Sequence, residues 1–172
     1  TPDITLRDNV YANRLTLIEI ETVQDLLATI CEKLKDKPCD AMIHAMAVLD
    51  YLPETPESGK IRSREDKMVV TFIKTPKVIK LIRKVWPHAF LIGFKLEVGL
   101  SRNALIERAY TSLSENDADL VVANNQDEVA GDKHLAYLVN SEKNIESCCE
   151  TKQDIAKALV TVLSKHSKLV KA

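Results

Sequence analysis

The sequence is short of the residues and motifs that usually give a function away. Only four glycines occur in 172 residues, Gly59, Gly93, Gly99 and Gly131. None forms the glycine-rich turn that many nucleotide-binding α/β proteins carry near their start. Either the chain is not such a protein, or that segment lies upstream of Thr1. Cysteine is equally uninformative: Cys31, Cys39, Cys148 and Cys149 include no C-x-x-C and no spacing that closes a tetrahedral zinc site. The adjacent pair is badly placed to bond to itself, so reduced thiols in a reducing compartment are expected. No charge excess exists, since the formal net charge is -1, and this removes the global basic field that recommends nucleic acid. No apolar run approaches the roughly 18 residues of a membrane helix, and no signal peptide is visible. A cytoplasmic, soluble protein is expected. No G-x-S-x-G, H-E-x-x-H or G-x-x-x-x-G-K-[ST] motif occurs either.

What is present is a globular pattern. Hydrophobic residues make up 45% and charged residues 28%, too apolar for disorder, and the length suits one domain spanning residues 1–172. Apolar runs alternate with helical periodicity. Leu15 to Ile20 reads as a strand, followed by a Thr22 cap with Asp25 three residues on and the helical face Val23, Leu26, Leu27, Ile30 and Leu34. Cys39 to Val48 reads as a long strand covered on both faces. Residues 50–66, rich in Pro, Glu, Ser and Arg, read as a loop. Met68 to Ile73 reads as the next strand. Thr75 is expected to cap a helix with Pro76 at its first position. A buried strand at Ala89 to Phe94, a Ser101-capped helix, strands at Leu120–Ala123 and Leu135–Val139, and a last helix capped by Thr151 with Asp154 complete the series. Alternation of this kind implies an α/β fold: a mostly parallel, Rossmann-like sheet flanked by helices on both faces.

In open parallel sheets ligands sit beyond the C-terminal strand ends. That rule selects Asp50, the Lys74-Thr75-Pro76 turn, Gly93-Phe94 and Asn124-Asn125. Asp50 could accept a hydrogen bond from a base or sugar or help hold a metal, or it could be a plain loop residue. Lys60, with Arg62 and Arg64, could close over a phosphate, or simply be solvated. The helix start at Pro76 and Lys77 could face an anion. Gly93 marks either close ligand approach, with Phe94 as a stacking surface, or a tight packing contact. His44 reads more readily as a core histidine than as a ligand, and Trp86 as a helix-end packing residue. The residues alone stop at an α/β domain that binds something anionic.

Five segments in register carry a resemblance. They are Ala47-Val48-Leu49-Asp50-Tyr51, Gly59-Lys60-Ile61-Arg62-Ser63, Lys74-Thr75-Pro76, Gly93-Phe94, and Ala118-Asp119-Leu120-Val121-Val122-Ala123-Asn124. In this order the chain resembles the phosphopantothenoylcysteine synthetase family. The resemblance implies a ligase of coenzyme A biosynthesis that joins cysteine to 4'-phosphopantothenate through an acyl nucleotidylate, using Mg²⁺ and CTP or ATP. A non-catalytic nucleotide-binding or regulatory module is the alternative. It further implies Lys60 as the catalytic lysine, nucleotide contacts from Asp50, Lys60, Pro76, Lys77, Val78, Ile79 and Phe94, unknown metal ligands, and a homodimer using the Met68 to Ile73 region. Three departures stand out. The family's glycine-rich opening and its S-I-T-N-x-S-S-G-like segment have no match, so a missing N-terminal part is expected. The helix before Ala118 has no lysine between Thr111 and Glu115, where CTP-using members commonly have two. Leu49 stands where a small residue is usual.

Overall fold

The computed structural model describes residues 14–55, 59 and 67–170. Its centre is a five-stranded sheet. The strands are β1 (Ala41–His44), β4 (Phe90–Glu97), β5 (Leu120–Ala130), β6 (Lys133–Asn140) and β7 (Ile145–Thr151), in the order β1-β4-β5-β6-β7. The β1–β4 and β4–β5 pairs are parallel, and the β5–β6 and β6–β7 pairs are antiparallel. Two short strands, β2 (Tyr51–Pro53) and β3 (Phe72–Lys74), form a separate antiparallel ribbon. The α/β expectation holds, with an antiparallel half added to the parallel one.

Helices cover both faces. The first, α1 (Val23–Ala28), begins with the expected capping box: the Asp25 N–H donates to Thr22 Oγ1 at 3.0 Å, and the Thr22 N–H donates to Asp25 Oδ2 at 2.8 Å. It runs on as a π-helical stretch, Thr29–Leu34. With α2 (Val78–Val85) and α3 (Arg102–Asn116) it builds a core around Ile30, Ile82, Leu91, Leu105, Val121 and Val139. On the opposite face α4 (Lys152–Val170) supplies Ile155 and Leu159 to Ile92, Leu120, Val122 and Leu138. The run Leu120-Val121-Val122-Ala123 therefore feeds alternate residues to the two cores, which is why it is apolar without a break. Ser101 caps α3 and Thr151 caps α4 as expected.

Several expectations are corrected. Leu15 to Ile20 is not a strand: no other segment of the described residues pairs with it, and Leu17 is 70% exposed. The strand expected over Cys39 to Val48 shrinks to four residues. Among the described residues β1 pairs only with β4, Ile43 is exposed on its outer face, and the chain leaves the sheet after His44. Of the Met68 to Ile73 region only Phe72 and Ile73 are in a ladder, as part of β3, against a strand, Tyr51–Pro53, inside the expected loop. Thr75 does not cap α2. Its hydroxyl turns back to donate to the Leu49 carbonyl, and Lys77 occupies the N-cap position. The strand β7 (Ile145–Thr151) forms although its sequence is too polar to read as a strand. Trp86 does end α2, is buried, and its Nε1–H donates to the Lys37 carbonyl at 3.0 Å.

Asp119 fastens the parallel half together. One carboxylate oxygen accepts from Arg83 Nη2 at 2.6 Å and from the Leu91 N–H at 2.7 Å, while Arg83 also donates to the Ala89, Pro87 and Asp117 carbonyls. The base of β4, the entry to β5 and the end of α2 share this one guanidinium–carboxylate pair. Substituting Asp119→Ala strands a mostly buried Arg83 and an amide, and is expected to cost about 1–3 kcal/mol. Urea unfolding measures it, and a change below about 0.5 kcal/mol, the range typical of surface positions, would contradict this role.

Candidate functional site

The parallel strands β1 and β4 end on the same side of the sheet, and the segments leaving them open a cleft of about 500 Å³. Its walls are His44 to Val48 and Asp50, then Thr75 to Ile79, then Phe94 to Leu96 and Asn124, with Ser112 and Asn116 from α3. Asp50, Pro76, Lys77, Val78, Ile79 and Phe94, read from scattered segments, thus share one cavity. Lys60 lies outside the described residues, as do Arg62 and Arg64.

Two chain segments are knotted at the cleft's rim. The Thr75 N–H donates to the Asp50 carbonyl at 2.9 Å, and the Thr75 hydroxyl donates to the Leu49 carbonyl. Lys77 Nζ meets Asp50 Oδ1 at 2.7 Å. Thr75 is buried, so its two bonds satisfy groups that water cannot reach. The Lys77–Asp50 pair is exposed and adds little stability. Its effect is electrostatic: the hydrogen bond and charge of Lys77 hold the Asp50 carboxyl below its ordinary value.

From Lys77 the chain enters α2 with no side chain capping its first turn, and Lys77, Val78 and Ile79 line the cleft. Free amides and the positive dipole end therefore point where an anion would sit. Lys95, from β4, adds a second ammonium, held by Glu97 at 3.1 Å, with Arg108 at 3.4 Å from the same carboxylate oxygen. Gly93 is explained by packing: a Cβ there would come 3.0 Å from Ile79 Cδ1. Phe94 borders the cleft and also packs into the core under α4. His44 is half-buried in the wall, its Nδ1 has no hydrogen-bond partner among the described residues, and burial pushes its pKa down.

Sequence reading missed Lys95, Ser112 and Asn116. Strand alternation after Phe94 could have flagged Lys95. Ser112 and Asn116 are one helical turn apart, and the Asn116 amide donates to the Ser112 carbonyl at 2.6 Å. Asn124, selected as a strand end, instead continues inside the eleven-residue β5. Among the described residues no group of three His, Cys, Asp or Glu could hold a metal, and no helix is long and apolar enough to cross a membrane.

Residues 6–166 match the family described as the DNA/pantothenate metabolism flavoprotein C-terminal domain. The chain belongs to this family. Among relatives of the domain is the coenzyme A biosynthesis bifunctional protein CoaBC of Thermococcus kodakarensis, 34% identical over 142 residues, which make up 83% of this chain and 35% of that protein. The chain thus spans about a third of the length of this curated relative. A DNA/pantothenate metabolism flavoprotein from Streptococcus pneumoniae superimposes with a TM-score of 0.76 at 31% identity, covering 88% of this chain and 73% of that one. A Cab2 variant in complex with phosphopantothenate-cysteine shares the fold, with a TM-score of 0.71 at 18% identity over 93% of this chain and 56% of that one.

The electrostatics of this domain's rim can be checked directly. Replacing Lys77→Met removes the group that depresses Asp50, so the Asp50 titration midpoint should rise toward the ordinary carboxylate value. Carboxyl-detected NMR reads this, and an unmoved midpoint would contradict the pairing.

Proposed function

We propose that this domain is the ligating part of a phosphopantothenoylcysteine synthetase of coenzyme A biosynthesis. The observation that carries the reading is the shared cleft. Residues expected from the family resemblance to contact nucleotide, namely Asp50, Pro76, Lys77, Val78, Ile79 and Phe94, surround one cavity at the C-terminal strand ends. The relationship to the bifunctional CoaBC protein supports the same assignment.

The chemistry suits the site. The phosphopantothenate carboxylate attacks the α-phosphate of CTP or ATP, pyrophosphate leaves, and an acyl nucleotidylate forms. The cysteine amine then displaces the nucleotide monophosphate. Both substrates of the first step are anions, so the chain's task is to neutralise and align them. The open amides at the start of α2 and the ammonium groups of Lys77 and Lys95 would bind phosphate oxygens. Asp50 would accept from the nucleotide's sugar or base, and Phe94 would pack on it. Lys60 would reach the acyl-phosphate charge. Mg²⁺ would arrive on the triphosphate, as Mg²⁺ commonly does with one or two carboxylates in reach, and would screen its charge. Ser112, in the stretch where CTP-using members would carry lysines, and Asn116 one turn on would meet the nucleotide with neutral groups. The enzyme would act in the cytoplasm.

A homodimer is part of this proposal. Around the β2–β3 ribbon Met68, Val69, Phe72 and Ile73 are 59%, 93%, 57% and 50% exposed, and Leu49 and Tyr51 extend the patch. Such an apolar surface suits a second copy of the chain. Sedimentation of the natural full-length protein should show a dimer that Phe72→Asp dissociates; a wild-type monomer would contradict it.

Activity is tested by supplying phosphopantothenate, cysteine, Mg²⁺ and CTP or ATP to the full-length protein and following pyrophosphate. Release with one nucleotide is expected, and Lys60→Ala should lower turnover at least about 100-fold, the scale of removing one transition-state donor, with little change in stability. No release with either nucleotide would remove the assignment.

A further inference from the structure

The second half of the proposed reaction needs an acceptor for a proton of the attacking amine. Cysteine's amino group is largely ammonium at neutral pH, and an amide nitrogen has lost two protons from that state. One can leave to solvent before attack. The other must leave the nitrogen as the carbon–nitrogen bond forms, while the carbon–oxygen bond to the nucleotide phosphate breaks. A positioned base is the usual means of taking it.

The cleft offers few bases. Asp50 is tied to Lys77, which lowers its affinity for a proton. Lys77 and Lys95 are cations engaged with Asp50 and Glu97. Thr75, Ser112, Asn116 and Asn124 are neutral groups with no useful basicity. His44 differs from all of these. It ends β1, paired in register with Gly93, where Ile79 fills the space that a side chain would take. It lines the cleft, and its Nδ1 is buried without a partner, which leaves Nε2 as the nitrogen able to meet a ligand. Burial also favours the neutral ring, so its lone pair is free at neutral pH.

We propose that His44 accepts the proton of the attacking cysteine amine during amide formation. This rests on the ligase reading above. Nε2 takes the proton as nitrogen bonds to the acyl carbon, the nucleotide monophosphate departs with the electrons of the broken carbon–oxygen bond, and the imidazolium returns its proton to water. The charged groups bordering the cleft are Asp50, Lys77 and Lys95, with Glu97 bound to Lys95. They are mutually paired, so the acid limb of amide formation should hold two breaks, one from the cysteine ammonium and a lower one from the imidazole.

The test separates the half-reactions in the full-length protein. In His44→Gln and His44→Asn, pyrophosphate formation in the absence of cysteine should stay within about 3-fold of wild type, which also shows that the variants fold. Cysteine-dependent amide formation should fall by roughly 10²- to 10⁴-fold, and the lower break of its acid limb, placed below the ordinary histidine value in the wild type, should vanish while the break from the cysteine ammonium stays. Hydroxylamine, which attacks acyl phosphates without a base catalyst, should trap the acyl nucleotidylate as hydroxamate in the variants at nearly the wild-type rate. Equal loss of both half-reactions in both variants, or amide formation unchanged with its acid limb intact, would overturn the role of His44. Wild-type protein that releases no pyrophosphate would instead overturn the ligase reading, and this step with it.

Discussion

The site depends on a tie between two stretches of chain that are distant in sequence. Leu49 and Asp50 leave the end of β1; Thr75 and Lys77 lead into α2. Two hydrogen bonds from Thr75 and one ion pair from Lys77 hold them together. Without that tie the residues between them would be a long excursion with no fixed return. With it, the β2–β3 ribbon projects as a unit, and the start of α2 is set against the ends of β1 and β4. A buried threonine satisfying two backbone partners fixes geometry better than a surface ion pair, so Thr75 acts as the anchor and Lys77 sets the charge.

Around this tie several local rules of folding are broken. The helix α2 starts without a side-chain cap, a histidine nitrogen is buried unmatched, and a glycine interrupts an apolar strand. Elsewhere α1, α3 and α4 are capped and the two cores alternate cleanly along β5, while Asn125 Oδ1 and His134 Nδ1 are also buried without a partner among the described residues. The Arg83–Asp119 cluster lies at the other ends of the same strands and does the opposite work, locking their register.

Periodicity made much of the fold legible. The helices were visible in their spacing and caps, and the buried strands β4, β5 and β6 in their unbroken apolar runs. Strands whose existence depends on a neighbour were not. Leu15 to Ile20 looks like a strand and has no partner among the described residues, whereas β7, with Glu146, Cys148 and Glu150, looks like none and is recruited by β6. Thr75 carried a misleading cap signal because Thr-Pro also suits a turn, and a carbonyl across the cleft competed for its hydroxyl. At the site, Asp50 and the Pro76 turn were reachable through the strand-end rule. Ser112 and Asn116 were not, since facing a cleft from a helix is a matter of packing, not of local sequence.

The claim underlying the whole picture is that a nucleoside triphosphate occupies this cleft. Titrating magnesium-loaded CTP and ATP into isotope-labelled protein, and following backbone amide shifts, tests it most directly. Saturable shifts centred on Asp50, Lys77, Val78 and Ile79 are predicted for at least one nucleotide. Saturable shifts confined to the α4 face or the β6–β7 edge, or no binding of either nucleotide, would contradict it.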